Sequence, residues 1–420
     1  MRICLLSYRG NPYCGGQGVY LYYLSEALAS RGHQVTVLVG PPYPLEMGWA
    51  ELVRVPNHNF INKLGESAIP RENPFSVFKP FDFAELFLSR LGNNPEPLFF
   101  SLRAYQWLRQ RLAEGEKFDI VHDNQSLGYG LLLIKSLGIP VISTVHHPLQ
   151  IDRKEDLKQM PGLIARAKRS LYYPLVMQKI VAKRLDKLIT VSESSRSLIS
   201  SWYKIPEHKI ETIPNGVDLD FFQRKPEIEK IPGRIIFVGS SEDRKKGILY
   251  LLCALKRIED EKAHLIIIDG RLSPERVYAK NLVKGMGLSA RVSFLEKISR
   301  EQLVMEYNKA EVVVMPSLFE GFGLPALEAM ASGCALIATR AGGLREVVGE
   351  GEDGGGILVE PGNEKELLEA LNKILDNPAL RKNLEERGKR RAQKYSWKKV
   401  NKEIERVYEQ ELKKGGKNAG

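Results

Sequence analysis

Short aliphatic runs, separated by longer stretches of helical period, set the pattern of this chain. In the first half the runs are Ile3–Ser7, Val35–Val39, Ile120–His122, Val141–Val145 and Leu188–Val191. The second half restarts with Arg234-Ile235-Ile236-Phe237-Val238-Gly239 and continues with Leu265–Ile268, Val292–Leu295, Val312–Met315 and Leu336–Ala338. Strands so uniformly apolar are buried on both faces, as in parallel sheets. Their alternation with helical segments predicts α/β folding. Two such series in 420 residues predict two α/β domains.

The stretch Phe221–Gly233 is polar, holds Pro226 and Pro232 and has no period, so it reads as the linker. The first domain then covers about 1–225 and the second about 233–394. The helical segment 395–412 follows, and Lys413–Lys417 reads as a disordered tail. One connection is long: an insertion at about 57–117 carries Phe75, Phe78, Phe81, Phe83, Phe87, Phe99 and Phe100. Long insertions in compact domains usually serve function. An acceptor pocket, a membrane contact and a small helical cap with its own core are the three readings open.

Composition narrows the class. Hydrophobic residues make up 43% and charged residues 27%, ordinary for a globular protein. Cys4, Cys14, Cys253 and Cys334 are scattered, which fits neither a disulfide framework nor a zinc site and points to a reducing compartment. No apolar run approaches the ~18 residues of a membrane span, and the N-terminus reads as a first strand, so the expected location is cytoplasmic. The formal charge of +11 favours anionic partners. Nucleic acid has only that charge in its favour, because no nucleic-acid-binding module is present. The segment Arg166–Arg184 mixes basic and apolar residues at helical spacing. It reads either as a helix lying on the anionic inner face of the plasma membrane or as an ordinary helix with one core face.

The chemistry concentrates at Pro316-Ser317-Leu318-Phe319-Glu320-Gly321-Phe322-Gly323-Leu324-Pro325, with Glu328 eight positions after Glu320. A buried strand, a glycine turn and a helix opened by proline aim backbone N–H groups at an anion, most often phosphate. Two carboxylates beside such a site suit the hydroxyls of a nucleotide attached to a sugar. Gly15-Gly16-Gln17-Gly18 forms a second glycine turn after the first strand. His146 ends a buried strand, where open α/β sheets place ligands. His122 and Asp123 end another and are candidates for acceptor binding, with a helix-capping role for Asp123 or Asn124, ahead of a helix near Leu127–Lys135, at least as open.

The motifs Ile213-Pro214-Asn215-Gly216-Val217-Asp218, Phe237-Val238-Gly239 with Lys246-Gly247, Pro316–Glu328 and Gly342-Gly343-Leu344-Arg345-Glu346 run in order. With Gly15-Gly16, Thr144-Val145-His146-His147 and Thr190–Ser195, this series resembles the retaining GT-B glycosyltransferases of glycosyltransferase family 4. The resemblance implies two Rossmann-like domains facing across a cleft, with the C-terminal helix crossing back to the first. It implies transfer of a hexose from a UDP- or GDP-sugar to a hydroxyl of a lipid-linked or saccharide acceptor, in envelope or polysaccharide synthesis. By the same resemblance Glu320 contacts the donor sugar, Glu328 the ribose, and Gly321, Phe322, Gly323 and Leu324 the sugar pyrophosphate. Lys246 neutralises the leaving group, His146 meets a sugar hydroxyl, and Lys297 and Ile298 face the base. No metal motif or cofactor enters this picture. Ser240 stands where many members have arginine, so Arg244 or Lys245 is expected to supply the charge. The rival readings are a nucleotide-sugar epimerase and a non-catalytic nucleotide or glycan binder.

Overall fold

The computed structural model describes residues 1–10, 16–44, 46–56, 80–160, 162–270 and 277–417. Expectations for Gly15, Cys14, Phe75 and Phe78 lie outside the described residues. The chain divides into two compact units. Met1–Val191, Ser195–Ile213 and Asn401–Gly420 form the first, and Ser192–Ser194 with Pro214–Val400 the second.

In the first unit seven strands form one parallel sheet: β1 (Arg2–Ser7), β2 (Gln34–Val39), β3 (Glu51–Arg54), β4 (Ile120–Asn124), β5 (Val141–Val145), β6 (Lys187–Thr190) and β7 (Ile210–Thr212). Their order is β3-β2-β1-β4-β5-β6-β7, with Ile3 level with Val35 on one side and Ile120 on the other. In the second unit β8 (Arg234–Val238), β9 (His264–Asp269), β10 (Val292–Glu296), β11 (Val312–Met315), β12 (Ala335–Thr339) and β13 (Ile357–Val359) are ordered β10-β9-β8-β11-β12-β13. Central strands β4, β5, β11 and β12 are buried along their whole length, as helices on both faces require.

Each sheet reverses its strand order once, between β1 and β4 in the first and between β8 and β11 in the second. Helices leave such neighbours toward opposite faces, so a crevice opens at the strands' C-terminal ends. The loops after β1, β4, β8 and β11 are therefore the ones placed to hold a ligand.

Four expectations change. The division falls at Ile213, not after 225, because the expected linker packs onto the second unit. There Phe222 is buried, Asn308 Nδ2 donates to the Gln223 carbonyl at 3.0 Å, and Asn308 Oδ1 accepts from the Lys225 N–H at 2.7 Å. The expected tail is helical: Trp397–Lys417 is one helix, and its residues from Asn401 group with the first unit. The described part of the insertion is helical too, as Pro80–Arg90 and Glu96–Ala113. It has no core of its own, since Phe100, Ala104 and Leu108 join the main core of the first unit. Finally, the segment 166–184 is split at Pro174 into the helices Leu163–Leu171 and Leu175–Arg184.

Candidate functional site

In the second unit the loop after β8 and the turn after β11 are built against each other. Gly247, at φ +71°, would place a side chain 1.9 Å from the Pro316 carbonyl oxygen, so only glycine permits this approach. The Leu318 N–H donates to the Lys245 carbonyl at 2.7 Å. Between these anchors Lys246 Nζ meets Glu320 Oε2 at 2.5 Å. Asp243 caps the short turn that carries Lys246 by accepting from the Lys245 N–H at 3.0 Å. Behind the loop the buried Asp269 carboxylate accepts from Ser241 N–H and Oγ at 2.7 and 2.9 Å, fixing the chain that leads to the lysine.

Gly323, at φ +108°, opens the helix Leu324–Ala331, and no side chain caps that N-terminus. Pro325 has no N–H, and the Ala326 and Leu327 N–H groups turn back to the Gly323 carbonyl at 3.0 and 3.3 Å, so among the described residues the Leu324 N–H is the first-turn donor open to an anion. Gly342 and Gly343 hold this turn from behind. The Gly343 N–H donates to the Glu320 carbonyl at 2.9 Å, and a side chain on Gly342 would meet the same oxygen at 2.2 Å. Two glycines are therefore needed for the second turn to close on the first.

Glu328 lies on the same helix. Tyr307 Oη donates to its Oε2 at 3.0 Å. Burial raises the carboxyl to about 7, against smaller lowering contributions from Tyr307 and the Arg300 charge. Its edge stays accessible, and among the described residues Tyr307 is its one hydrogen-bond partner. The two cations expected to compensate for Ser240 turn elsewhere. The Arg244 guanidinium lies 4.8 Å from the Tyr278 ring centre, and Lys245 pairs with Asp243 at 3.6 Å. Lys297 follows β10 in the left-handed region, at φ +50°, with its N–H toward the Asp269 carbonyl and Ile298 next in line.

In the first unit His146 directly follows β5, and its ring nitrogen Nε2 lies 2.8 Å from Asn124 Oδ1. Asn124 Nδ2 donates to Ser7 Oγ and to the Gln17 carbonyl, so Oδ1 is the atom turned to the imidazole. Nε2 therefore carries the proton and Nδ1 is the acceptor. Burial, helped by the charges of His147 and His122, pushes His146 down to about 3. The ring is neutral at physiological pH and acts through hydrogen bonds. Gly16 starts the helix Gly16–Ser30 beside this group and is exposed.

His122 and Asp123 do not offer themselves to an acceptor. His122 spends both ring nitrogens inside the unit, on Tyr408 Oη at 2.6 Å and Thr144 Oγ1 at 2.7 Å. Asp123 is fully buried and accepts from the Leu127 and Ser126 N–H groups, Ser126 Oγ and Ser143 Oγ. It pins the β4 turn, whose Gln125 and Leu127 have positive φ. These bonds tie a loop turn and do not cap a helix, since the next helix, Gly130–Lys135, starts after Tyr129 with no side-chain cap.

Comparison with known proteins decides the class. The model described as Glycosyltransferase Family 4 matches residues 14–221, and the one described as Glycosyl transferases group 1 matches 219–391. The MMP alpha-(1->4)-mannosyltransferase of Mycolicibacterium hassiacum is 39% identical over 415 residues, covering 98% of each chain. The chain is a family 4 glycosyltransferase. The D-inositol 3-phosphate glycosyltransferase of Corynebacterium jeikeium is 27% identical over 98% of this chain and 97% of its own. The transferase's fold is GT-B, like sucrose-phosphate synthase from Thermosynechococcus elongatus (TM-score 0.72, 25% identity, 98% of each chain). It is also like Anabaena HepE in complex with UDP (TM-score 0.70, 18% identity, 98% and 100% covered).

Sequence reasoning passed over Asp269 and Tyr307 in this glycosyltransferase and considered Asn124 only as a helix cap. Each stands at or beside the partner of a site residue, at a distance in sequence that no motif spans. The one available signal was position: Asn124 and Asp269 are the last residues of β4 and β9.

Proposed function

We propose that this glycosyltransferase moves a hexose, with mannose as its first candidate, from a nucleoside diphosphate sugar to a saccharide hydroxyl, with retention at the anomeric carbon. The observation that carries the reading is the Lys246–Glu320 pair set against the uncapped helix turn at the β8/β11 reversal. The mannosyltransferase relative supports the choice of sugar.

In this reading the diphosphate takes the Leu324 N–H at the helix N-terminus and draws Lys246 to it. Glu320, relieved of the lysine, accepts hydrogen bonds from sugar hydroxyls. Glu328 accepts both ribose hydroxyls, a vicinal diol matching two carboxylate oxygens. In the first unit, His146 Nδ1 is the ring atom able to accept from a hydroxyl. As the anomeric carbon–oxygen bond breaks, negative charge grows on the phosphate, and a fixed cation counts most at that moment. The acceptor oxygen bonds the anomeric carbon from the same face and gives its proton to the departing phosphate. No protein nucleophile takes part.

The test pairs GDP-mannose and UDP-glucose, each with a mannose oligosaccharide, and reads the new anomeric signal by NMR. An α-mannoside from GDP-mannose is expected, and Lys246→Ala should lower kcat by about a hundredfold while changing nucleotide affinity far less. A β-linked product, or donor hydrolysis with no transfer, would remove the retaining-transfer reading.

A further inference from the structure

The helix Pro80–Arg90 is turned the wrong way for a helix whose outer side meets water. Its carboxylates point inward: Glu85 is 2% exposed and pairs with Arg103 at 2.6 Å, and Asp82 pairs with the same arginine at 2.7 Å. Ser89, one turn on from Glu85, is buried as well. Phe83, Phe87 and Leu91, spaced four apart, are 52%, 56% and 51% exposed. Surface helices of globular proteins show the opposite pattern.

A second helix lies beside it. Leu163–Leu171 buries none of its residues, and Leu163, Ile164 and Leu171 are 83%, 87% and 63% exposed. The two helices meet at their ends. Lys168 side-chain atoms come within 3.6 Å of a Cβ built on Gly92, and the Asn94 N–H donates to the Tyr172 carbonyl at 3.0 Å. Two apolar rows therefore sit on adjoining elements of one unit. Exposed apolar residues scattered singly need no explanation, whereas grouped ones mark an interaction surface.

Charge selects the occupant. From Leu163 to Arg184 the chain carries Arg166, Lys168, Arg169, Lys179, Lys183 and Arg184 and no acidic residue. The nearby Asp156 pairs with Arg169 and accepts from the Tyr173 hydroxyl, so that arginine's charge is balanced while Arg166 and Lys168 keep theirs. Aromatic and aliphatic side chains among uncompensated cations match the boundary between anionic headgroups and acyl chains. We propose that this face docks on an anionic lipid bilayer, with Phe83, Phe87, Leu163 and Ile164 entering the acyl boundary and Arg166 and Lys168 meeting the headgroups. The docking stands apart from the donor reading, and its test uses no substrate.

The full-length protein would be sedimented with vesicles of phosphatidylglycerol mixed with phosphatidylcholine, and with vesicles of phosphatidylcholine alone. It should pellet with the first and not the second. The doubly substituted Leu163→Glu, Ile164→Glu protein should lose about tenfold or more of that partition, as should Arg166→Glu, Lys168→Glu. All four side chains project from a helix with no buried residue, so melting curves should match the parent. Three results would overturn the proposal. One is no sedimentation of the parent with anionic vesicles, and another is equal binding by parent and variants. The third is a dimer in light scattering that the same substitutions dissociate, because a second copy of the chain would then cover the face.

Discussion

Glu328 titrates close to neutrality, so a small change in pH alters what a ribose would meet. Burial raises its carboxyl from 4.5 to about 7. Because the folded value lies above the ordinary one, its contribution to stability is whole below about 4.5 and is lost as pH rises through about 7. Diol binding has the opposite sense, since the ionised form is the better acceptor. Nucleotide affinity should climb by up to about tenfold per pH unit below neutrality and level off above it. Calorimetric titration of GDP or UDP from pH 5.5 to 8 would show this slope. A Glu328→Gln protein with the same slope would assign it to another group. At this scale the sequence exposes residues that act at a glycine turn, such as Lys246 and Glu320, because the turn needs glycine and the charges stand beside it. Asn124 and Tyr307 escape it, since each works by orienting or shielding a residue on another element.

The central strands were legible because burial on both faces leaves no polar alternation to confuse the reading. β3, β7 and β13 were not. Each sits at a sheet edge, has three or four residues and includes exposed or half-buried positions, so its pattern is that of a loop. The helix Trp397–Lys417 shows a different limit. Its period was visible, but its inner face is decided by long-range partners. Ile404, Val407 and Tyr408 are fully buried, Tyr408 Oη bonds His122, and Glu405 takes hydrogen bonds from Arg31 at 2.6 Å and His33 at 2.7 Å. Tyr408→Ala should cost about 3–5 kcal/mol through the lost ring and the unpartnered imidazole. Urea unfolding followed by fluorescence would measure it. A midpoint within error of the parent would mean that the helix end does not hold the first unit together.

Over the whole molecule the two units carry separate hydrophobic cores, one around Leu6, Phe100 and Val121 and the other around Ile235, Leu251 and Ile337. The proposed nucleotide contacts, Lys246, Glu320, Leu324 and Glu328, all belong to the second. GDP at about 100 times its dissociation constant should stabilise that unit by roughly 2.7 kcal/mol. Amide hydrogen exchange should therefore slow around residues 241–247 and 318–328 and change less in β1, β2 and β4. Protection centred on the first unit would place the nucleotide elsewhere. The interrupted make-up of the first unit also bears on how the protein is made. Its closing piece, from Asn401, is separated from Ile213 by the 187 residues 214–400. At ~5–20 residues per second, a ribosome needs about 10–40 s to cross that gap. All that time the groove destined for Tyr408 is vacant on the nascent chain, while the segment that will fill it is still being translated. The half of the enzyme made first is thus the half finished last, and a stalled or truncated message leaves it open.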